Sequence, residues 1–158
     1  MTVGSQMPFD RLVGAMDEWA ETRAVSVEIV AQVGITSLKP RFMKYEAAVA
    51  PARFSELVEA SNLIVAHAGM GSVLTALQAA KPIVLMPRLG SLQETRNDHQ
   101  VATAKWLKNR PGVFVAMDAR ELPGAIERAL GVRDSGVPIS DIASAKLLTA
   151  LRGFIHER

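Results

Sequence analysis

An apolar run, Leu63–Ala66, breaks at His67-Ala68-Gly69-Met70-Gly71-Ser72, passes through a helix-length segment, Gly71–Ala80, and meets a second apolar run, Pro82–Met86. Two short apolar strands joined by a helix pair in parallel, because the crossover returns the chain to the end of the sheet where it started. Parallel strands are covered on both faces, and the crossover is right-handed. This one unit commits the chain to an α/β fold. It also marks the strand ends beyond which such sheets bind ligands.

The remaining chain repeats the alternation. Met1–Val3 reads as a short strand ending at Gly4-Ser5, and Pro8–Glu21 carries a helical stripe of Phe9, Leu12, Val13, Met16 and Trp19. Val25–Val33 reads as a strand, Ile35–Lys44 as a loop, Tyr45–Val49 as a short strand and Ala52–Ala60 as a helix. Asp98–Lys108 is a further helix and Val113–Ala116 a further strand. Asp118 and Glu121 have capping-box spacing before a helix that ends near Leu130. The expected architecture is a Rossmann-like, doubly wound parallel sheet over residues 1–130. A linker over 131–139 and a C-terminal helix over 140–158, with a stripe of Ile142, Leu148, Leu151 and Ile155, complete the chain.

Composition removes several classes of function. The net charge of +2 is too small to argue for nucleic acid as a partner. The chain has no cysteine, so neither disulfides nor thiolate metal sites are available. No basic segment precedes an apolar core at the N-terminus, and no apolar run reaches the ~20 residues of a membrane span. The expectation is a soluble protein in a reducing compartment.

Gly69 and Gly71 permit a sharp turn from strand into helix and leave the main chain open to approach. The first N–H groups of the helix lack internal partners and carry partial positive charge. With the Ser72 hydroxyl and His67 as a further donor they suit a phosphate or diphosphate, although a strand-helix turn without ligand has the same spacing. Leu74 stands where a dinucleotide fingerprint needs its third glycine, and no Gly-Lys-Ser/Thr ends a P-loop.

The stretch PRLGSLQETRNDHQVATAKWL follows the second strand. Asp98 is placed to cap the helix, but a cap does not account for Glu94, Asn97, His99 and Gln100 gathered with Arg88 and Arg96. Donors and acceptors in that mixture suit a polyhydroxylated ligand such as a sugar. His67 and His99 have no third partner at metal-ligand spacing, and no Gly-x-Ser-x-Gly elbow supports a serine hydrolase. Lys39, Arg41 and Lys44 read as solvated loop charges, and His156 as a surface residue.

In order and spacing, HAGMGS, KPIVLMPR and NDHQ resemble the donor-binding half of family 28 glycosyltransferases, and the opening TVGSQMPFDRLV resembles that family's first strand and glycine turn. The likeness is strongest to the small subunits of split bacterial polysaccharide enzymes and to the cytosolic half of the eukaryotic dolichol-linked N-acetylglucosaminyltransferase. It implies the C-terminal half of a GT-B fold. It places Gly4, Ser5, His67, Gly69, Gly71 and Ser72 at the diphosphate of a UDP-sugar. It places Asn97, Asp98, His99 and Gln100 at the donor sugar, Gln100 foremost, with Arg88 and Glu94 flanking. Thr75 stands where the family has a ribose-binding glutamate; Gln78 or Glu94 are the possible substitutes.

The resemblance further implies an inverting, metal-independent sugar transfer that needs no cofactor beyond the UDP-sugar donor. The helix N-terminus and His67 would stabilise the leaving diphosphate. The catalytic base and a lipid-linked saccharide acceptor would belong to a membrane-anchored partner subunit, because the chain starts almost at its first strand. The expected location is the cytoplasmic, inner face of the plasma membrane, reached through that partner. The stripe on 140–158 is available for docking, for a homodimer or for its own domain. Arg88 or Arg96 beside the sugar favours glucuronic acid over galactose or N-acetylglucosamine. A UDP-sugar 2-epimerase, a non-catalytic nucleotide-sugar-binding regulatory subunit and an NAD-binding oxidoreductase fragment are the competing readings.

Overall fold

The computed structural model describes residues 1–23 and 27–132. Helix α1 (Asp10–Glu21) precedes strands β1 (Val30–Gln32) and β2 (Lys44–Glu46). Helix α2 (Pro51–Ala60), strand β3 (Ile64–His67), helix α3 (Met70–Gln78) and strand β4 (Ile83–Met86) follow. Helix α4 (His99–Leu107), strand β5 (Val113–Val115) and helix α5 (Leu122–Leu130) complete the described chain.

β1 pairs in parallel with β2, and β3, β4 and β5 pair in parallel in that order. The first three residues close the gap between the two groups, with Thr2 bridged to both Gln32 and Ala66. Val3 N donates to the Gln32 carbonyl at 3.1 Å, and Thr2 N to the Val65 carbonyl at 2.9 Å. The spatial order is therefore β2, β1, Met1–Val3, β3, β4, β5. This is the doubly wound order whose reversal falls between the first strand and β3.

The apolar strands are buried on both sides because alternate residues serve opposite layers. Val65, Val84 and Met86 pack with Val3, with Phe9, Leu12, Val13, Met16 and Trp19 of the α1 segment, and with Leu122 and Ile126 of α5. Ile64, Ala66, Ile83 and Leu85 pack instead with Val58 of α2, Val73 and Leu77 of α3, and Leu107 of α4. Helices thus cover both faces, as the alternation of apolar runs required.

Element boundaries differ from expectation where local signals are weak. α1 begins at Asp10, two residues after Pro8, and the regular part of β1 covers only Val30–Gln32 of the expected Val25–Val33. β2 starts at Lys44 rather than Tyr45, because pairing with β1 sets its register: Val30 faces Lys44. Asp118 does cap, accepting from Arg120 N and Glu121 N, but it caps a 3-10 turn, Ala119–Glu121, that leads into α5. The Glu121 carboxylate reaches back to Met117 N at 2.8 Å, one residue short of the reciprocal capping-box partner. Ala24–Ser26, the linker expected over 131–139 apart from its first two residues, and the helix expected over 140–158 lie outside the described residues.

Candidate functional site

The first strand and β3 lie side by side and end together, at Gly4 and His67. Gly4 has φ +77°, in the region that favours glycine. A side chain there would also stand 2.7 Å from His67 Cε1. Gly69, the N-cap of α3, has an ordinary extended conformation, yet a side chain on it would collide with His67 Nε2. The imidazole is therefore wedged between two glycine turns, and each glycine is required by the same ring. Gly71 is different: a Cβ there would meet nothing within 4 Å. The protein's own packing does not ask for a glycine at that position.

His67 is mostly screened from water. Burial above all, and the Arg88 guanidinium next, lower its pKa to about 4, with the Thr2 carbonyl pulling the other way. The ring is thus neutral near pH 7. Its Nδ1 is buried with no hydrogen-bond partner among the described residues. Beyond it, Val73 N is the first α3 amide to bond back, to the Gly69 carbonyl at 3.2 Å, so the amides before it are open to an acceptor. Ser72 is half-buried in that turn. Ser5 is exposed at the opposite turn.

Residues not singled out in the sequence hold the first turn. Thr2 Oγ1 donates to Gln32 Oε1 at 2.6 Å, and Gln32 Nε2 donates to the Gly4 carbonyl at 3.0 Å. Arg11 grips Glu94 through two bonds, Nε to Oε1 at 2.8 Å and Nη2 to Oε2 at 2.7 Å. It also reaches the Pro87 carbonyl at 2.8 Å. Their only sequence trace was ordinary: polar residues flanking apolar strands and one arginine on the polar side of a helix.

Two flanking candidates are engaged otherwise than expected. Arg88 is 4% exposed, and its guanidinium donates to the Val3 carbonyl at 2.6 Å, the Met7 carbonyl at 2.7 Å and the Pro8 carbonyl. It lies over the Phe9 ring, 4.7 Å from its centroid. Both ends of the guanidinium are therefore turned into the protein rather than toward a sugar. Glu94 has Arg11 on both oxygens and accepts Leu89 N at 2.9 Å, which removes it as a substitute for the missing ribose carboxylate. Thr75 Oγ1 donates to the Gly71 carbonyl at 2.9 Å, back along its own helix.

In the sugar segment, Asn97 Oδ1 contacts the His99 ring and accepts His99 N at 3.3 Å. Asp98 occupies the N-cap position of α4 but makes no cap bond; its Oδ1 accepts Gly90 N at 2.8 Å instead. Asn97, Asp98, His99 and Arg96 are exposed, whereas Gln100 is buried. Gln100 Oε1 accepts Arg88 N at 3.1 Å. That bond fixes which end of the carboxamide is oxygen and turns its NH₂ away as a donor. Among the described residues, no three His, Cys, Asp or Glu side chains gather as a metal would need. No described helix is long and apolar enough to cross a membrane.

A family model for the glycosyltransferase family 28 C-terminal domain matches residues 1–130. The chain belongs to this family. No curated protein matches it significantly. Among solved structures, the glycotransferase of kitacinnamycin resembles it with a TM-score of 0.58 at 17% identity, over 83% of this chain and 34% of that one. The glycosyltransferase SnogD from Streptomyces nogalater aligns over 95% of this chain and 42% of its own, at 21% identity and a TM-score of 0.48. The first likeness carries the fold: the family 28 domain is the Rossmann-like C-terminal half of a GT-B architecture. The chain spans about a third of the first neighbour's length.

Proposed function

We propose that this family 28 domain binds a UDP-sugar and forms the donor half of a two-component, inverting glycosyltransferase of polysaccharide biosynthesis. The observation that carries the reading is the pair of glycine turns meeting at the point where the strand order reverses. His67 stands between them, and the open first turn of α3 lies beside them. Open amides at a helix N-terminus attract a diphosphate, and they stabilise the charge that grows on UDP as the glycosidic bond breaks. Neutral His67 contributes a hydrogen bond there through its one ring N–H, without adding a positive charge. In this scheme no metal is needed at the diphosphate. The base that deprotonates the acceptor comes from a membrane-anchored partner subunit that holds a lipid-linked saccharide, and the complex works at the inner face of the plasma membrane.

Gln100 reads the sugar in this proposal, with its NH₂ directed to a hydroxyl and its oxygen held by Arg88 N. Arg96, exposed in the sugar segment, favours glucuronic acid as the sugar, because the Arg88 guanidinium is engaged with carbonyls. Ribose recognition falls to Gln78, one turn beyond Thr75. The test is Gln100→Ala titrated with UDP and with UDP-glucuronic acid. The expected result is a loss confined to the UDP-sugar, about tenfold for one hydrogen bond. Equal losses for both ligands would contradict a sugar contact.

A further inference from the structure

Arg88 poses a question that the donor-site reading does not answer. A buried cation is expensive unless a carboxylate faces it. Here every hydrogen-bond acceptor of the guanidinium is a main-chain carbonyl: Val3, Met7 and Pro8. Phe9 adds a ring face. Among the described residues no carboxylate lies within ion-pair distance of it. The acid that acts on it from further away, Glu94, is already bridged to Arg11 at 2.7 Å. Two guanidiniums thus face one carboxylate, leaving one positive charge in excess. The three carbonyls flank the Gly4-Ser5 turn in sequence, so the excess charge is bonded to the chain on both sides of it. Arginine holds its proton in any protein environment, so burial cannot neutralise it as it neutralises His67.

We propose that Arg88 is a fixed counter-charge for an anion at the glycine turns, acting through the first loop without touching the ligand. This rests on the donor-site reading and deepens it. His67, expected as a further donor at the diphosphate, is neutral between the turns, and Arg88 behind them carries the charge. A guanidinium enclosed by carbonyls is held rigid and is little screened by salt, so its attraction is present before the ligand arrives. Its hydrogen bonds also hold the turn at the end of the first strand, and its main-chain N–H holds Gln100. One residue thereby ties the diphosphate side of the site to the sugar side.

The test compares the full chain with Arg88→Lys, which keeps the charge, and Arg88→Met, which removes it. Each is titrated with UDP and with uridine, which has no phosphate, and far-UV circular dichroism shows that each is folded. Arg88→Met is expected to weaken UDP by about tenfold or more, the scale of one charge acting in a partly buried site. Uridine binding stays unchanged, and Arg88→Lys recovers a substantial part of the UDP affinity. A folded Arg88→Met that loses UDP and uridine alike would overturn the proposal, as would Lys and Met variants equally impaired toward UDP. If either variant does not fold, the unsubstituted chain supplies the second measurement: UDP affinity that falls between 0.05 M and 0.5 M salt as steeply as for an exposed lysine site overturns the buried charge. Failure of the unsubstituted chain to bind UDP more tightly than uridine would instead defeat the diphosphate reading itself.

Discussion

Gly69→Ala tests the wedge geometry directly, because the two contributions to its cost can be separated. Gly69 has φ −86° and ψ 135°, which alanine adopts without strain. Its added methyl, however, would collide with His67 Nε2, and the ring cannot retreat because Gly4 flanks its other side. Overpacking of this kind costs about 1–3 kcal/mol. Alanine at an N-cap in place of glycine adds roughly 0.5–1 kcal/mol. A total of about 1.5–4 kcal/mol is a large part of a domain's stability and lowers the urea midpoint by about 0.8–2 M at an m-value near 2 kcal/mol/M. In a His67→Ala background the collision is gone and only the cap contribution remains, so the double-mutant cycle returns a coupling of about 1–3 kcal/mol. Urea unfolding of the four proteins, followed by circular dichroism, measures it. An identical cost for Gly69→Ala in both backgrounds would refute the wedge. Gly4→Ala is expected to keep a residual of about 1–2 kcal/mol in the His67→Ala background, since its positive φ remains strained whatever lies beside it.

Three further expectations follow from the same geometry. Arg11→Met strands the largely buried Glu94 carboxylate (side-chain exposures of 17% and 11%), and should cost about 3 kcal/mol by urea unfolding; Arg11→Met with Glu94→Leu should cost less than Arg11→Met alone. His67 titrates near pH 4 in the folded chain but near its ordinary 6.5 when unfolded. The unfolded chain therefore takes up the proton first as pH falls, so stability is fully present above about pH 6.5. It then declines by up to ~1.4 kcal/mol per pH unit toward pH 4. His67→Asn should flatten that slope, and an NMR titration placing the ring near 6.5 would contradict it. Thr2→Val, which removes the donor to Gln32 Oε1 and the acceptor for Gly4 N, should cost about 1–2 kcal/mol and loosen the first turn, read as faster amide exchange at Gly4.

The parts of this molecule that were legible in its sequence share one property: their signal is local. The apolar runs of β3 and β4 are uniform because both faces are covered, and Gly69 before α3 with Gly71 in its first turn marks a turn that any reader of the chain can place. The strand order was not legible, since it depends on Met1–Val3 inserting between two strands that lie 29 or more positions further along. Polar partnerships at long separation escaped for the same reason. Arg88 and Glu94 sit among sugar-segment residues in sequence, which invited a ligand role. Their partners are Val3, Met7, Pro8 and Arg11, some 80 residues away, and only the folded sheet brings these together. Asp98 reads as a helix cap by its position, yet Gly90 N, delivered by the loop after β4, takes its carboxylate. Gln100 was singled out by position and resemblance, whereas the bond that orients its carboxamide appears only in three dimensions.

The most direct test of the central claim is calorimetric titration of the purified chain with UDP, a panel of UDP-sugars and NAD. The account predicts saturable binding of UDP, tighter binding of one UDP-sugar, and no heat from NAD. Binding of NAD with none of UDP would contradict it.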